Sequence, residues 1–151
     1  MLKRMLWLGI GIVLMLAAVN GMAGAVSEEQ HEAIADVLEQ NLQATAEEDV
    51  SGILKTMHPD NEAHHNEAVV ADMEQLFAMY DLNYDLEIMD MYTEAEDVLV
   101  TYRQITWADD DPDFMDNVLT GVHTMRRYAG EWRLLDSEIL TTEPYVGEPD
   151  N

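Results

Sequence analysis

Asp90 occupies a position where a carboxylate is unexpected. Counted by twos from Tyr84, the residues Leu86, Ile88, Asp90 and Tyr92 share one face of an extended segment, and all but Asp90 are apolar or aromatic. A carboxyl group among apolar side chains is desolvated. Its pKa rises, and it can act as a general base or acid near neutral pH. An inserted residue or a one-residue slip would instead turn Asp90 to solvent. By the same count His123 falls on the side of Leu119 and Met125, where an imidazole could relay a proton. The plainer reading is a core histidine satisfied by one hydrogen bond. Tyr102 and Tyr84 carry hydroxyls able to donate to a carbonyl oxygen, although strand tyrosines more often pack with the hydroxyl in water. Asp90 with His123 or Tyr102 would support enolisation or dehydration of a carbonyl compound. Trp107 and Trp132 are expected as pocket wall or core. His58 is expected near a pocket rim, or as a helix-end residue favoured by the macrodipole.

Other chemistry is poorly supported. His58, His64 and His65 are close in sequence, but adjacent histidines at a helix start point apart. Asp109, Asp111 and Asp113 have the alternation of a calcium loop, yet Phe114 and Thr120 stand where its glycine and closing glutamate belong. No metal site, cofactor, glycine-rich phosphate loop or serine or cysteine nucleophile motif is expected. Arg126, Arg127 and Arg133 lie on adjacent predicted strands, and surface pairing with carboxylates is their default role.

Charge narrows the partners. The chain has 31 acidic and 7 basic residues. A phosphate backbone would be repelled, so nucleic acid is excluded as a partner, and anionic membrane surfaces are disfavoured. Self-repulsion on this scale destabilises a compact state unless salt screens it, which suggests a saline habitat. The first 25 residues differ from the rest. Lys3 and Arg4 precede an apolar run from Met5 to Val19, and Ala23-Gly24-Ala25 has the small residues of a cleavage signal. The run is shorter than the ~20 residues that span a bilayer comfortably. Residues 1–25 are therefore expected to be a signal peptide, with an uncleaved anchor as the alternative. The remaining chain would be periplasmic or extracellular. It keeps Lys55 and four arginines against all the acidic residues.

The elements that must position these groups follow from periodicity. Ser27-Glu28-Glu29-Gln30 is a capping box, and Ile34, Val37, Leu38 and Leu42 recur at helical spacing behind it, giving a helix over about 28–47. Asp49 caps a short second helix that Pro59 ends. A third helix spans about 67–80, with Val69, Val70, Met73, Leu76, Phe77 and Tyr80 inward. From Leu82 the period becomes that of strands: Leu82 to Tyr92, Val98 to Trp107, Asn117 to Tyr128 and Glu131 to Leu140, the last two joined by Ala129-Gly130. Residues 26–143 thus read as one α+β domain, three helices on one face of a four-stranded antiparallel meander. Residues 144–151 read as a flexible tail.

Three stretches carry a resemblance: Met57-His58-Pro59-Asp60; Phe77-Ala78-Met79-Tyr80-Asp81-Leu82; and Gly121-Val122-His123-Thr124-Met125-Arg126-Arg127 leading into Gly130-Glu131-Trp132-Arg133. In this order the chain resembles small bacterial NTF2-like (SnoaL-like) proteins over about residues 30–141. The resemblance implies a cystatin-like cone, a curved sheet wrapped on a helix around a pocket. The small hairpin usual between the second and third helices is shortened here to His58–Asn66. The family includes isomerases, dehydratases and many non-catalytic modules, and fold alone does not choose among them. The tyrosine that the steroid isomerases place on the first helix is missing. The expectation is a non-catalytic module that binds a small apolar or amphipathic molecule or serves in interaction, with a homodimer through the outer sheet face. The alternative is a small lyase or isomerase using Asp90.

Overall fold

The computed structural model describes residues 24–147. The expected leader lies almost wholly outside them, as does the end of the expected tail. Helix α1 (Glu28–Ala46) starts at the capping box: the Ser27 hydroxyl accepts from the Gln30 amide, and the Gln30 side chain accepts from the Ser27 amide, both at 3.2 Å. Helix α2 (Val50–Thr56) is capped by Asp49, whose carboxylate accepts from the Gly52 amide at 3.0 Å. The loop before the next helix contains a single 3-10 turn, Glu62–His64. Helix α3 (Glu67–Met79) follows, capped by Asn66, and none of its residues is fully buried.

Four long strands follow as an antiparallel meander: β2 (Leu82–Glu94), β3 (Asp97–Ala108), β4 (Asn117–Tyr128) and β5 (Glu131–Pro144). A fifth strand, β1 (Gly24–Ala25), adds to the free edge of β2, with Gly24 opposite Thr93 and Ala25 opposite Tyr92. Among the described residues the sheet therefore has five strands rather than the four expected. Strand β5 also runs on to Pro144, opposite Asn117, beyond the Leu140 expected as its end. The β4–β5 turn is Ala129-Gly130, with φ of 50° and 82°. Positive φ at both central residues matches the right-handed twist of the flanking strands.

Three bulges curve this sheet. The register shifts between Ile88 and Asp90 on β2 leave Met89 unpaired, and the shifts on β5 do the same to Leu135 and Leu140. Each inserted residue bends its strand and increases its twist. The Leu135 bulge is held from outside the sheet. Met57 bridges to Leu134, the His58 amide donates to the Leu134 carbonyl at 2.8 Å, and the Asn61 side-chain amide reaches the carbonyls of Leu134 and Leu135 at 3.2 and 3.0 Å. The segment after α2 thus supplies partners that the distorted ladder lacks.

The core lies where α1 crosses the sheet. Ile34 and Leu38 of α1 pack with Met91, Val98, Val100, Met125, Trp132 and Leu134. Residues directly opposite across a ladder share a face, so Val98, Met125 and Leu134 form one inward row, and Met91, Val100, His123 and Ser137 form the next.

The Met89 bulge corrects one expectation. Tyr84, Leu86 and Ile88 do share the inner face, but the inserted residue reverses the alternation beyond it. Met91 is buried, while Asp90 pairs with Thr101 on the outer face and is exposed.

Candidate functional site

Beyond the core, the inner face continues as three further rows. Ile88, Tyr102, Gly121 and Ile139 are in register. So are Leu86, Gln104, Leu119 and Thr142, and then Tyr84, Thr106, Asn117 and Pro144. At the boundary between core and open face the Tyr102 ring stacks flat on the His123 ring, with centroids 3.9 Å apart and planes within 5°. His123 Nδ1 lies 2.7 Å from Ser137 Oγ. Gly121 makes the arrangement possible. A side-chain carbon there would stand 2.7 Å from the Tyr102 hydroxyl and 2.4 Å from the Glu138 carbonyl, so only a glycine lets the tyrosine lie across β4.

These groups are electrically quiet. One face of the His123 ring is covered by Tyr102, and the residue is half-buried. Burial lowers its pKa to about 4, so the ring is neutral near pH 7, with one donor and one acceptor nitrogen. Burial raises the Tyr102 pKa, and burial followed by the nearby Glu48 raises that of Tyr84, so both keep their protons. Tyr102, His123 and Ser137 are therefore neutral hydrogen-bonding groups beside the apolar surface of Ile88, Leu119 and Ile139. Ile139 is 56% exposed although its row faces inward, so this end of the inner face meets solvent along β5.

The structure brings together two of the three residues expected to do chemistry and separates the third. Asp90 lies on the opposite face of the sheet from Tyr102 and His123, its carboxylate accepting from the Met91 amide at 2.9 Å. Tyr84 is on the inner face, two rows from Tyr102. Trp107 is not: on the unbroken alternation of β3 it falls with Thr101, Arg103 and Ile105 on the outer face. Trp132 belongs to the core, with its indole N–H buried without a partner among the described residues and the Arg127 guanidinium 4.9 Å above its ring. His58 is buried after α2. Its Nδ1 accepts from the Asp60 amide at 3.1 Å, and its ring meets Tyr128 edge-on. It closes the clamp on the Leu135 bulge. Among the described residues no group of three histidine or acidic side chains could hold a metal ion. Two contributors to the site are not among the residues expected there. Gly121 had a signal, a glycine inside a strand pattern. Ser137 had none, because its face depends on the bulge two residues earlier.

A curved antiparallel sheet wrapped on an N-terminal helix, with polar groups on its concave side, defines the NTF2-like class. Solved structures agree. The chain is similar to an NTF2-like protein of unknown function from Pseudomonas putida KT2440, at 16% identity and a TM-score of 0.63, covering 76% of this chain and 88% of that one. A protein of unknown function with a cystatin-like fold from Nostoc punctiforme PCC 73102 gives 11% identity and a TM-score of 0.62, over 77% and 93% of the two chains. Bdellovibrio bacteriovorus Bd1075 gives 13% identity and a TM-score of 0.57, over 82% of this chain and 45% of that one. At these identities the likeness is one of fold. No curated protein matches the sequence. Residues 36–145 match the C-terminal domain of the anti-sigma-I factor RsgI9, and the chain belongs to that domain family.

Proposed function

We propose that this domain is a non-catalytic recognition module whose open cone binds a small apolar or amphipathic molecule against Tyr102, His123 and Ser137. The observation that carries the reading is the separation of Asp90 from the stacked pair across the sheet. A lyase or isomerase needs a base and an electrophilic partner within reach of one substrate. Here the inner face offers neutral donors and acceptors beside apolar surface, which suits recognition of a molecule with one polar end. The name of the family, the C-terminal domain of an anti-sigma factor, suggests a regulatory setting in which binding is reported to another part of a system.

The proposal includes export, with residues 1–25 as leader, and a homodimer formed through the outer sheet face, where Leu99, Ile105, Val118 and Val122 are half-buried. A cut after Ala25 would remove β1 and leave Val26, which packs on the core, as the first residue.

Fluorescence titration with the neutral apolar dye N-phenyl-1-naphthylamine tests the binding reading. The expected result is saturable enhancement that weakens at least tenfold in Leu119→Asp and is unchanged in Val122→Asp on the outer face. Enhancement lost equally in both variants, or absent in the parent, would reject the inner-face site.

A further inference from the structure

The five basic residues of the domain are not spread evenly. Four of them, Lys55, Arg126, Arg127 and Arg133, gather at the closed end of the sheet, on the last turn of α2 and on the strands flanking the Ala129-Gly130 turn. Arg126 and Arg133 are directly opposite each other across the β4–β5 ladder, a placement that costs free energy for like charges. Carboxylates flank the pair. Asp97 holds Arg126 through two hydrogen bonds of 2.6 and 2.8 Å, and Glu131 lies 2.5 Å from Arg133. Lys55 has no such partner. It is exposed and makes no ion pair among the described residues.

Lys55 and Arg133 line the same hollow, about 370 Å³, together with His64 and the apolar surfaces of Leu54, Met57 and Tyr128. A second hollow, of about 460 Å³, lies beside Glu48, Asp49 and Glu74, and among the described residues no cation lines it. In a chain this acidic, a concavity lined by Lys55 and Arg133 and, among the described residues, by no carboxylate stands out; Arg133 is paired with Glu131, so Lys55 is its uncompensated charge. We propose that this hollow is a binding site for a small carboxylate with an apolar tail. The carboxylate would pair with Lys55 and share the Arg133 guanidinium with Glu131, and the tail would lie on Leu54, Met57 and Tyr128. The volume fits a small molecule. This site is separate from the inner-face site and does not depend on it. Lys55 and Arg133 stand at the closed end, and the two sites differ in charge requirement.

The test is a ¹⁵N-resolved NMR titration of the protein with octanoate, octanol and octyltrimethylammonium in parallel. Octanoate is expected to shift the amides of Leu54, Lys55, Tyr128 and Arg133, with octanol at least tenfold weaker and the cation without effect. Lys55→Gln and Lys55→Glu alter an exposed side chain and leave the fold intact. They should weaken octanoate at least fivefold and twentyfold, respectively. Arg133→Lys keeps the charge and should retain most of the binding. Equal binding of octanol, an unaffected Lys55→Glu variant, or shifts confined to Gly121, His123 and Ser137 would overturn the proposal. So would binding of an acidic peptide with none of octanoate, which would make the hollow a protein contact.

Discussion

The inner face of the sheet runs through both ends of the molecule, yet the two ends are covered differently. At the closed end α1 lies across the rows of Val98, Val100 and Met125, which are sealed from solvent. At the open end the rows of Tyr102 and Gln104 carry the same alternation, but Ile139 is largely exposed and α3 buries none of its residues fully. Bulges interrupt the strands in both, at Leu135 and at Leu140. What differs is the cover. The closed end supplies stability by excluding water, and the open end is where the proposed ligand would lie. The stacked Tyr102 and His123 stand at the border between them.

That contrast has measurable consequences. Met125 is completely buried, so Met125→Ala should cost about 2–5 kcal/mol in urea denaturation. Leu119→Ala at the open end should cost about 1 kcal/mol or less. Equal losses would erase the distinction. Next in size is a pH effect at the border. His123 has a folded pKa of about 4, below its ordinary value of 6.5, so between these values the unfolded chain binds more protons. Stability from this group is present above about pH 6.5 and is lost as pH falls towards 4, by at most about 3 kcal/mol. His123→Phe should remove that part of the pH dependence, and an NMR titration of His123 with a midpoint near 6.5 would refute its burial.

Smaller effects probe how the closed end is held. Asn61→Ala leaves the carbonyls at the Leu135 bulge without their side-chain donor and should lower stability by about 1–2 kcal/mol. The β4–β5 turn should respond least. Gly130 has open space around it but a φ of 82°, so Gly130→Ala should cost about 1 kcal/mol. Ala129, at a φ of 50°, should gain a few tenths to 1 kcal/mol as glycine or asparagine, both of which tolerate left-handed backbone. Thermal denaturation resolves both signs.

The same contrast governs what could be read from residues alone. Helix limits came within a residue or two because capping groups mark them: Ser27, Asp49 and the Pro59 stop are local chemistry. The Ala129-Gly130 turn was visible for the same reason. His123 was placed on its proper face because β4 runs without an inserted residue. Asp90 was misplaced because one extra residue, Met89, inverts every later side chain on β2, and nothing in the sequence Ile-Met-Asp-Met-Tyr says which residue is extra. The bulges at Leu135 and Leu140 hid Ser137 and Ile139 in the same way. They depend on partners far along the chain, such as Asn61, that no local window contains. Strand β1 is two residues long and forms by adding to an edge, which leaves no periodicity to detect.

The most direct test is to locate the bound apolar molecule. Amide shifts recorded on adding N-phenyl-1-naphthylamine should concentrate at Gly121, His123, Ser137 and Ile139 while Val98, Thr101 and Val122 stay in place. Shifts centred on Thr101 and Val122, or no site-specific shifts at saturating dye, would contradict recognition by the open end of the cone.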